Sequence, residues 1–340
     1  MWKDGKYLLA YLNPLAGCVG LHFGGVLSFG AFYLAFVIIP LVEQWLPARQ
    51  DNVPAEQETS RAARPLFDWL LYSNVVIVYG LMAYFGWRIA QGGLSTFELI
   101  GMTFNMGIVI GALGINVAHE LGHRARVAEQ WLARLLLVPA LYSHFTIEHN
   151  YGHHKHVSTP EDPASARPGE AIYPFWLRSV SGSWRNAWKL ERQLGIATWN
   201  PLKGLSAGVA MQVIYLCIAG WLAGPLAVVC FAGAAVVGFL LLESVNYIEH
   251  YGLVRTRLAS GRYVPIEPRH SWNSNHELGR IFLYELTRHS DHHYRATRKY
   301  QILRHLDDAP QLPVGYPAAI VMALVPSLWR RVVDPLIPAE

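Results

Sequence analysis

The sequence predicts an all-α integral membrane protein in which six transmembrane helices carry a histidine-rich cap on one face of the bilayer. Three observations predict it. Of 340 residues, 52% are apolar and 15% charged, with a mean hydropathy of +0.20, which excludes a disordered chain and argues against a soluble enzyme. Residues 7–42 and 204–242 contain no charged side chain. The chain also holds 15 His and 12 Trp, far above ordinary usage, which points to metal chemistry and to membrane interfaces. The net charge of +4 is small and its basic residues are scattered, so no nucleic-acid footprint is expected.

At ~1.5 Å per residue each uncharged stretch would form a helix of roughly 54 to 59 Å, against a hydrocarbon core of ~30 Å, so each reads as two helices back to back. Gly24-Gly25 supplies the turn in the first, giving spans 7–24 and 25–42. Gly224-Pro225 breaks the second, giving 204–223 and 226–242. Residues 48–64, rich in Ala, Pro, Gln and Glu, read as a connection, and 69–87 and 99–118 as single spans. A further apolar run, 131–147, carries Arg134, Pro139 and His144. A mid-bilayer Arg costs ~2.5 kcal/mol or more, so this run is read as re-entrant, interfacial or packed inside the protein. Residues 314–336, with three prolines and Trp329, Arg330 and Arg331, read as an interfacial or packing segment and not as a seventh span.

With six spans, residues 1–340 form a single membrane domain whose segments 119–203 and 243–340 share one face with both termini. Of 28 Lys and Arg, only Arg88 falls off that face, so the positive-inside rule makes it cytoplasmic. The start, Met-Trp-Lys-Asp-Gly-Lys, leads into an apolar segment with no small-residue cleavage site after it and reads as a retained span. Cys18, Cys217 and Cys230 lie in apolar stretches without a C-x-x-C pair. Neither a disulfide framework nor a thiolate knuckle is available, so any metal must be held by nitrogen and oxygen.

Four clusters supply those atoms. His119-Glu-Leu-Gly-His123 places two imidazoles at i and i+4 on one helical face. It also matches the H-E-x-x-H pattern of zinc proteases, where Glu120 would be the general base. Glu148-His149-Asn-Tyr-Gly-His153-His154-Lys-His156 offers imidazoles at i, i+4 and i+5, with Gly152 easing backbone approach. Asn246-Tyr-Ile-Glu249-His250-Tyr-Gly252 follows the last span, and Arg288-His289-Ser-Asp291-His292-His293 presents i, i+3 and i+4. The nine imidazoles of His119, His123, His149, His153, His154, His250, His289, His292 and His293 exceed what one metal can use, and Mg or Ca would not be bound by nitrogen. Two transition metals fit. Iron is preferred because soluble di-iron bundles also use helix-borne His, although the count alone would suit copper or zinc. Glu249, Asp162 and Asp291 are candidates to orient imidazoles through their second nitrogen or to deliver protons, against the alternative of ordinary ion pairs with nearby Arg. His156, His270 and His276 are expected not to ligate.

These segments, with Thr159-Pro-Glu-Asp162-Pro-Ala164, His270-Ser-Trp-Asn-Ser-Asn-His276, Tyr300-Gln-Ile-Leu-Arg304 and Pro313-Val-Gly-Tyr-Pro317, resemble the integral-membrane alkane 1-monooxygenases (alkane omega-hydroxylases) of the membrane fatty acid desaturase and hydroxylase group. The resemblance spans residues 7 to 336, and the Asn246 stretch is its most diagnostic part. It implies a bacterial inner-membrane, non-haem di-iron enzyme with two iron ions. Such an enzyme hydroxylates medium- or long-chain n-alkanes, drawn from the membrane lipid, with O2 and electrons from rubredoxin and its NAD(P)H-dependent reductase. Two departures stand out. Tyr294-Arg-Ala-Thr follows His293 where the family has Ala-His-Pro-Thr, and without C-x-x-C pairs the rubredoxin is expected to be a separate protein. The basic face would suit an acidic carrier. Competing readings are an aryl-methyl (xylene-type) monooxygenase, a fatty-acyl desaturase, which the Asn246 stretch disfavours, and a metal transporter or sensor. Transport would need ionisable residues at mid-membrane, and the spans have almost none.

Overall fold

The computed structural model describes residues 2–338, and apart from two isolated bridges, Arg257 with Tyr263 and Asn273 with Gln311, no strand occurs among the described residues. Five described helices are long and apolar enough to cross a membrane: Gly25–Glu43, Pro65–Ala90, Thr96–Gly122, Leu205–Ala223 and Pro225–His250. The first expected span is built differently. Trp2–Tyr11 is wound as a 3-10 helix and only Leu12–Phe23 is α-helical. At ~2.0 and ~1.5 Å per residue the two segments together still reach roughly 38 Å. Both expected breaks are present, with Gly24 at φ 65°, Gly25 at 52° and Gly224 at 81°, the left-handed region that glycine enters without cost. The three cysteines are free.

The chain divides into two compact units. One comprises residues 1–38, 65–146 and 191–242; the other, 39–64, 147–190 and 243–340. In the first, Thr96–Gly122 is the central helix, with 83% of an 18-residue apolar stretch buried against 22% for the corresponding stretch of Leu205–Ala223. Its glycines let Pro225–His250 approach closely: a Cβ on Gly107 would lie 2.4 Å from Val237 Cβ, and one on Gly111 would lie 2.8 Å from Leu241 Cδ2. Asn105 on the same helix accepts from the Ala31 N–H (2.7 Å) and donates to the Gly17 carbonyl (2.9 Å). These two bonds tie the helix Leu12–Phe23 and the segment after Gly24 to the central helix. Arg134 is 3% exposed and donates to the Gly204 carbonyl, so the run 131–147 is packed inside the protein, and its helix, Val127–Leu137, has 11 residues, fewer than a crossing needs.

The second unit is organised by buried cations and hydrogen bonds between distant segments. Arg288, 1% exposed, donates to the carbonyls of Leu303 (2.7 Å) and Asp51 (2.8 Å), and Arg280 to that of Arg49 (2.8 Å). Glu43 accepts from the Gly279 N–H at 2.7 Å. The last turns of Pro225–His250 are clamped on several sides: Trp272 N–H donates to the Glu249 carbonyl (2.8 Å), Trp272 Nε1 to the Tyr251 carbonyl (2.9 Å), and Tyr251 Oη to Asp334 (2.7 Å). These ties hold the end of the helix that bears Glu249 and His250.

Candidate metal centre

In the first unit, Thr96–Gly122 changes to a π-helical turn over Ile110–Ile115 before delivering His119 and His123 one α-turn apart, with ring centroids 5.1 Å apart. Glu120 faces elsewhere. Its carboxylate accepts from Arg124 Nε (3.0 Å) and Nη2 (2.7 Å), while Arg124 Nη1 reaches Asp68 (3.0 Å) and Glu129 (3.4 Å) and Tyr72 donates to Glu129 (2.7 Å). A carboxylate engaged by a buried guanidinium is not placed as a hydrolytic base, which removes the protease reading of this motif.

The second unit gathers seven imidazoles. His149, His154 and His292 form one set and His153, His250, His289 and His293 another, each with its ligand atoms within 4.8 Å of one another. In the first set, His154 Nε2 lies 3.0 Å from His149 Nε2 and 3.1 Å from His292 Nε2. In the second, His293 Nε2 lies 2.8 Å from His289 Nε2 and 3.2 Å from His153 Nε2, and His250 Nε2 lies 3.1 Å from His289 Nε2. Nitrogens bound at ~2.1 Å to one metal stand roughly 3 Å apart, so the converging Nε2 atoms fit a cation in each set. All seven are buried except His154, which is half-buried.

The division of the second His cluster between the two sets follows from its winding. Phe145–Glu148 is α-helical, but His149–His153 is a π turn, whose backbone bonds run between residues five apart. His149 Nε2 therefore meets that of His154, while its ring stacks on His153, whose Nε2 turns to the other set. The sequence offered i, i+4 and i+5 alike, and the winding decides between them.

Asp162 supports this arrangement. Its carboxylate, 1% exposed, lies 2.8 Å from His153 Nδ1 and accepts from Ser165 Oγ (2.6 Å) and the Ala164 N–H (3.0 Å). A carboxylate accepting from Nδ1–H turns Nε2 toward the set, where a bound metal would displace any proton it carries. Burial would raise the Asp162 carboxyl, but the His153 charge and hydrogen bond hold it below its usual range. Burial likewise opposes protonation of His153, and Asp162 more than offsets it. Glu249 is placed differently, with Oε2 3.2 Å from Nε2 of His289, on the side where the nitrogens converge. Asp291 accepts from the Arg304 N–H (2.8 Å) and stands 3.5 Å from Arg298, so it braces the helix His289–Tyr294 from outside. His156, His270 and His276 lie outside both sets. His270 Nδ1 accepts from the Glu267 N–H (2.9 Å), and His276 Nδ1 lies 2.9 Å from Ser274 Oγ.

Sequence reasoning passed over Glu148 as a functional group. Its Oε1 accepts from Asn186 (3.0 Å), and burial, followed by the charge of Asp162, pushes its carboxyl up to about 8. The Asn186 partner, 38 positions away, has no local signature, and Ser165 was equally unmarked.

A model of the fatty acid desaturase family matches residues 94–320. The chain is similar to the alkane 1-monooxygenase of Pseudomonas putida, 36% identical over 342 residues that cover 98% of this chain and 85% of the relative. It is similar also to alkane 1-monooxygenase 2 of Pseudomonas aeruginosa, 40% identical over 314 residues covering 90% and 83%. A more distant similarity, 25% over 338 residues covering 95% and 86%, is to the hydroxylase component of the xylene/toluene monooxygenase of Pseudomonas putida.

Proposed function

The chain belongs to the alkane 1-monooxygenase family, and from that premise we propose that it is a non-haem di-iron enzyme converting the terminal methyl of medium- to long-chain n-alkanes to a 1-alkanol. In overall balance, R–CH3, O2, two electrons and two protons give R–CH2OH and water. The electrons are assigned to a separate rubredoxin reduced by an NAD(P)H-dependent reductase. The supporting observation is the pairing of two adjoining, all-imidazole donor sets in one buried region, a ligand type suited to iron and unsuited to Mg or Ca. His119 and His123 are assigned as the remaining two of nine ligands.

Bound iron would supply the activation of O2 that amino-acid side chains cannot. The protein's own part is positioning and exclusion of water. Asp162, backed by Ser165, holds the His153 ring with Nε2 forward. Glu249 brings a carboxylate oxygen to the Nε2 side of His289, where it can hold a proton at the centre. Asp291 fixes the helix that carries His289, His292 and His293 by accepting the Arg304 N–H. The distribution of Lys and Arg supports an inner-membrane protein with its His segments and both termini cytoplasmic, and the basic face supports an acidic carrier.

An aryl-methyl substrate is the second reading, favoured by the similarity to the xylene/toluene hydroxylase component. Gas chromatography of membranes containing this chain, a rubredoxin, its reductase and NADH, fed octane to hexadecane beside p-xylene, separates the two. Oxygen-dependent 1-alkanols with about two irons per chain support the first reading. Aryl alcohols alone support the second, and no oxidation by an iron-loaded protein would refute both. High salt should slow turnover driven by the carrier and spare turnover driven by a chemical reductant.

A further inference from the structure

Helix Ile172–Gln193 has three distinct faces. Ile172, Phe175, Ser179 and Ala187 are buried, at i, i+3, i+7 and i+15. On this face Ser179 Oγ donates to Glu243 and Trp176 Nε1 donates to Ser244 Oγ at 3.2 Å. Glu243 is the first charged residue after the apolar stretch of Pro225–His250. The two bonds therefore seat the helix at the level where that span leaves the hydrocarbon.

The second face is apolar and uncovered. Tyr173, Leu177 and Trp184, at i, i+4 and i+11, are 48%, 77% and 38% exposed. The third is basic and exposed, with Arg185, Lys189 and Arg192 at i, i+4 and i+7. Tyr173 Oη donates to the Leu324 carbonyl at 2.7 Å, which joins this surface to the segment leading into Pro326–Val333. That helix buries Trp329 and Val333 and exposes Leu328 beside Arg330 and Arg331. Two amphipathic helices tied together thus present aromatic and aliphatic side chains flanked by cations, at the edge of a membrane-spanning helix. Helices with this division lie in the interface, with apolar groups at the acyl boundary and cations at the phosphates.

We propose that the outer faces of Ile172–Gln193 and Pro326–Val333 form one lipid-binding surface, seated in the headgroup–acyl boundary of an anionic phospholipid leaflet. Leu177 and Leu328 enter the acyl layer, and Arg185, Lys189, Arg330 and Arg331 hold lipid phosphates. The surface anchors the unit that carries the seven imidazoles, independently of the substrate that the metal centre oxidises.

The test uses the full chain in nanodiscs, with Cys18, Cys217 and Cys230 replaced by alanine and a bimane label attached at Leu177→Cys, Leu328→Cys or Ser260→Cys. Ser260 is exposed in the turn between Arg257 and Tyr263 and serves as the aqueous control. The labels at 177 and 328 should be quenched by phosphatidylcholine spin-labelled near the headgroup and shielded from iodide, with the reverse at 260. In mixed discs of phosphatidylglycerol and phosphatidylcholine, the unlabelled protein should retain phosphatidylglycerol preferentially. Neutralising Arg185, Lys189, Arg330 and Arg331 to Gln together should reduce that preference by about fivefold, the equivalent of ~1 kcal/mol. Iodide access at 177 and 328 equal to that at 260 would overturn the proposal, and so would an unchanged phosphatidylglycerol preference in the four-Gln variant.

Discussion

Replacing Asp162 with asparagine keeps the shape of the side chain and changes the hydrogen-bond direction at one imidazole. The amide oxygen can still accept the Ala164 N–H, now 3.0 Å from Oδ1. The amide nitrogen must then occupy the position of Oδ2, 2.8 Å from His153 Nδ1. Because that nitrogen can only donate, Nδ1 has to accept, and the ring proton moves to Nε2, where it points into the donor set. Loss of such a supporting carboxylate costs about 10- to 100-fold in metal affinity, or roughly 1.4 to 2.7 kcal/mol. Ser165→Ala is the matched control, since it removes the 2.6 Å bond to Oδ2 but leaves the His153–Asp162 pair, so its iron affinity should stay within about threefold. The assay is iron retained per chain across a graded chelator series, with a size-exclusion profile to confirm folding. An Asp162→Asn protein that elutes normally and gives up iron at the wild-type chelator concentration would refute the argument that Asp162 sets the tautomer of His153.

Arg124→Met would leave Asp68, Glu120 and Glu129 without their shared cation, with the Glu129 side chain only 5% exposed. It should cost roughly 3–5 kcal/mol, read as a lowered unfolding midpoint in detergent, and adding Glu120→Gln should recover part of the loss. Gly107→Ala, whose Cβ would meet Val237 Cβ at 2.4 Å, should destabilise by about 1–3 kcal/mol. Gly80→Ala, with nothing within 4 Å, should be neutral or stabilising by about 0.5–1 kcal/mol in the same melt. Burial pushes His144 down from 6.5 to about 3, so below pH ~6.5 the unfolded chain takes up a proton that the folded chain refuses, and stability falls by ~1.4 kcal/mol per pH unit as pH drops. His144→Phe should flatten the dependence of the melting midpoint on pH between ~6.5 and ~5, and an identical slope in both proteins would count against this assignment.

Features encoded by short-range chemistry were legible in the sequence. The turns at Gly24, Gly25 and Gly224 follow from residues that tolerate positive φ, and the burial of Arg134 follows from the cost of a charge in hydrocarbon. The convergence of the histidine clusters was legible because residue type and close spacing together mark candidate metal donors. What depends on winding or on distant partners was not. Nothing in residues 2–11 distinguishes a 3-10 from an α start, and spacing alone did not say which of His153 and His154 shares a set with His149, because that depends on the π winding of the backbone. The engagement of Glu120 by Arg124 is local, but its significance depends on Asp68 and Glu129 closing around the same guanidinium. Glu148 and Asn186 meet only once Ile172–Gln193 has packed.

The π turn at His149–His153 amounts to one residue more than an α-helix would need over the same rise. With it, His149 stacks on His153 at a ring-centroid distance of 5.2 Å while its Nε2 meets that of His154 at 3.0 Å, so one short turn supplies rings to both donor sets. A deletion of one residue there would rotate every later ring of the cluster, so this stretch tolerates a change of side chain better than a change of length.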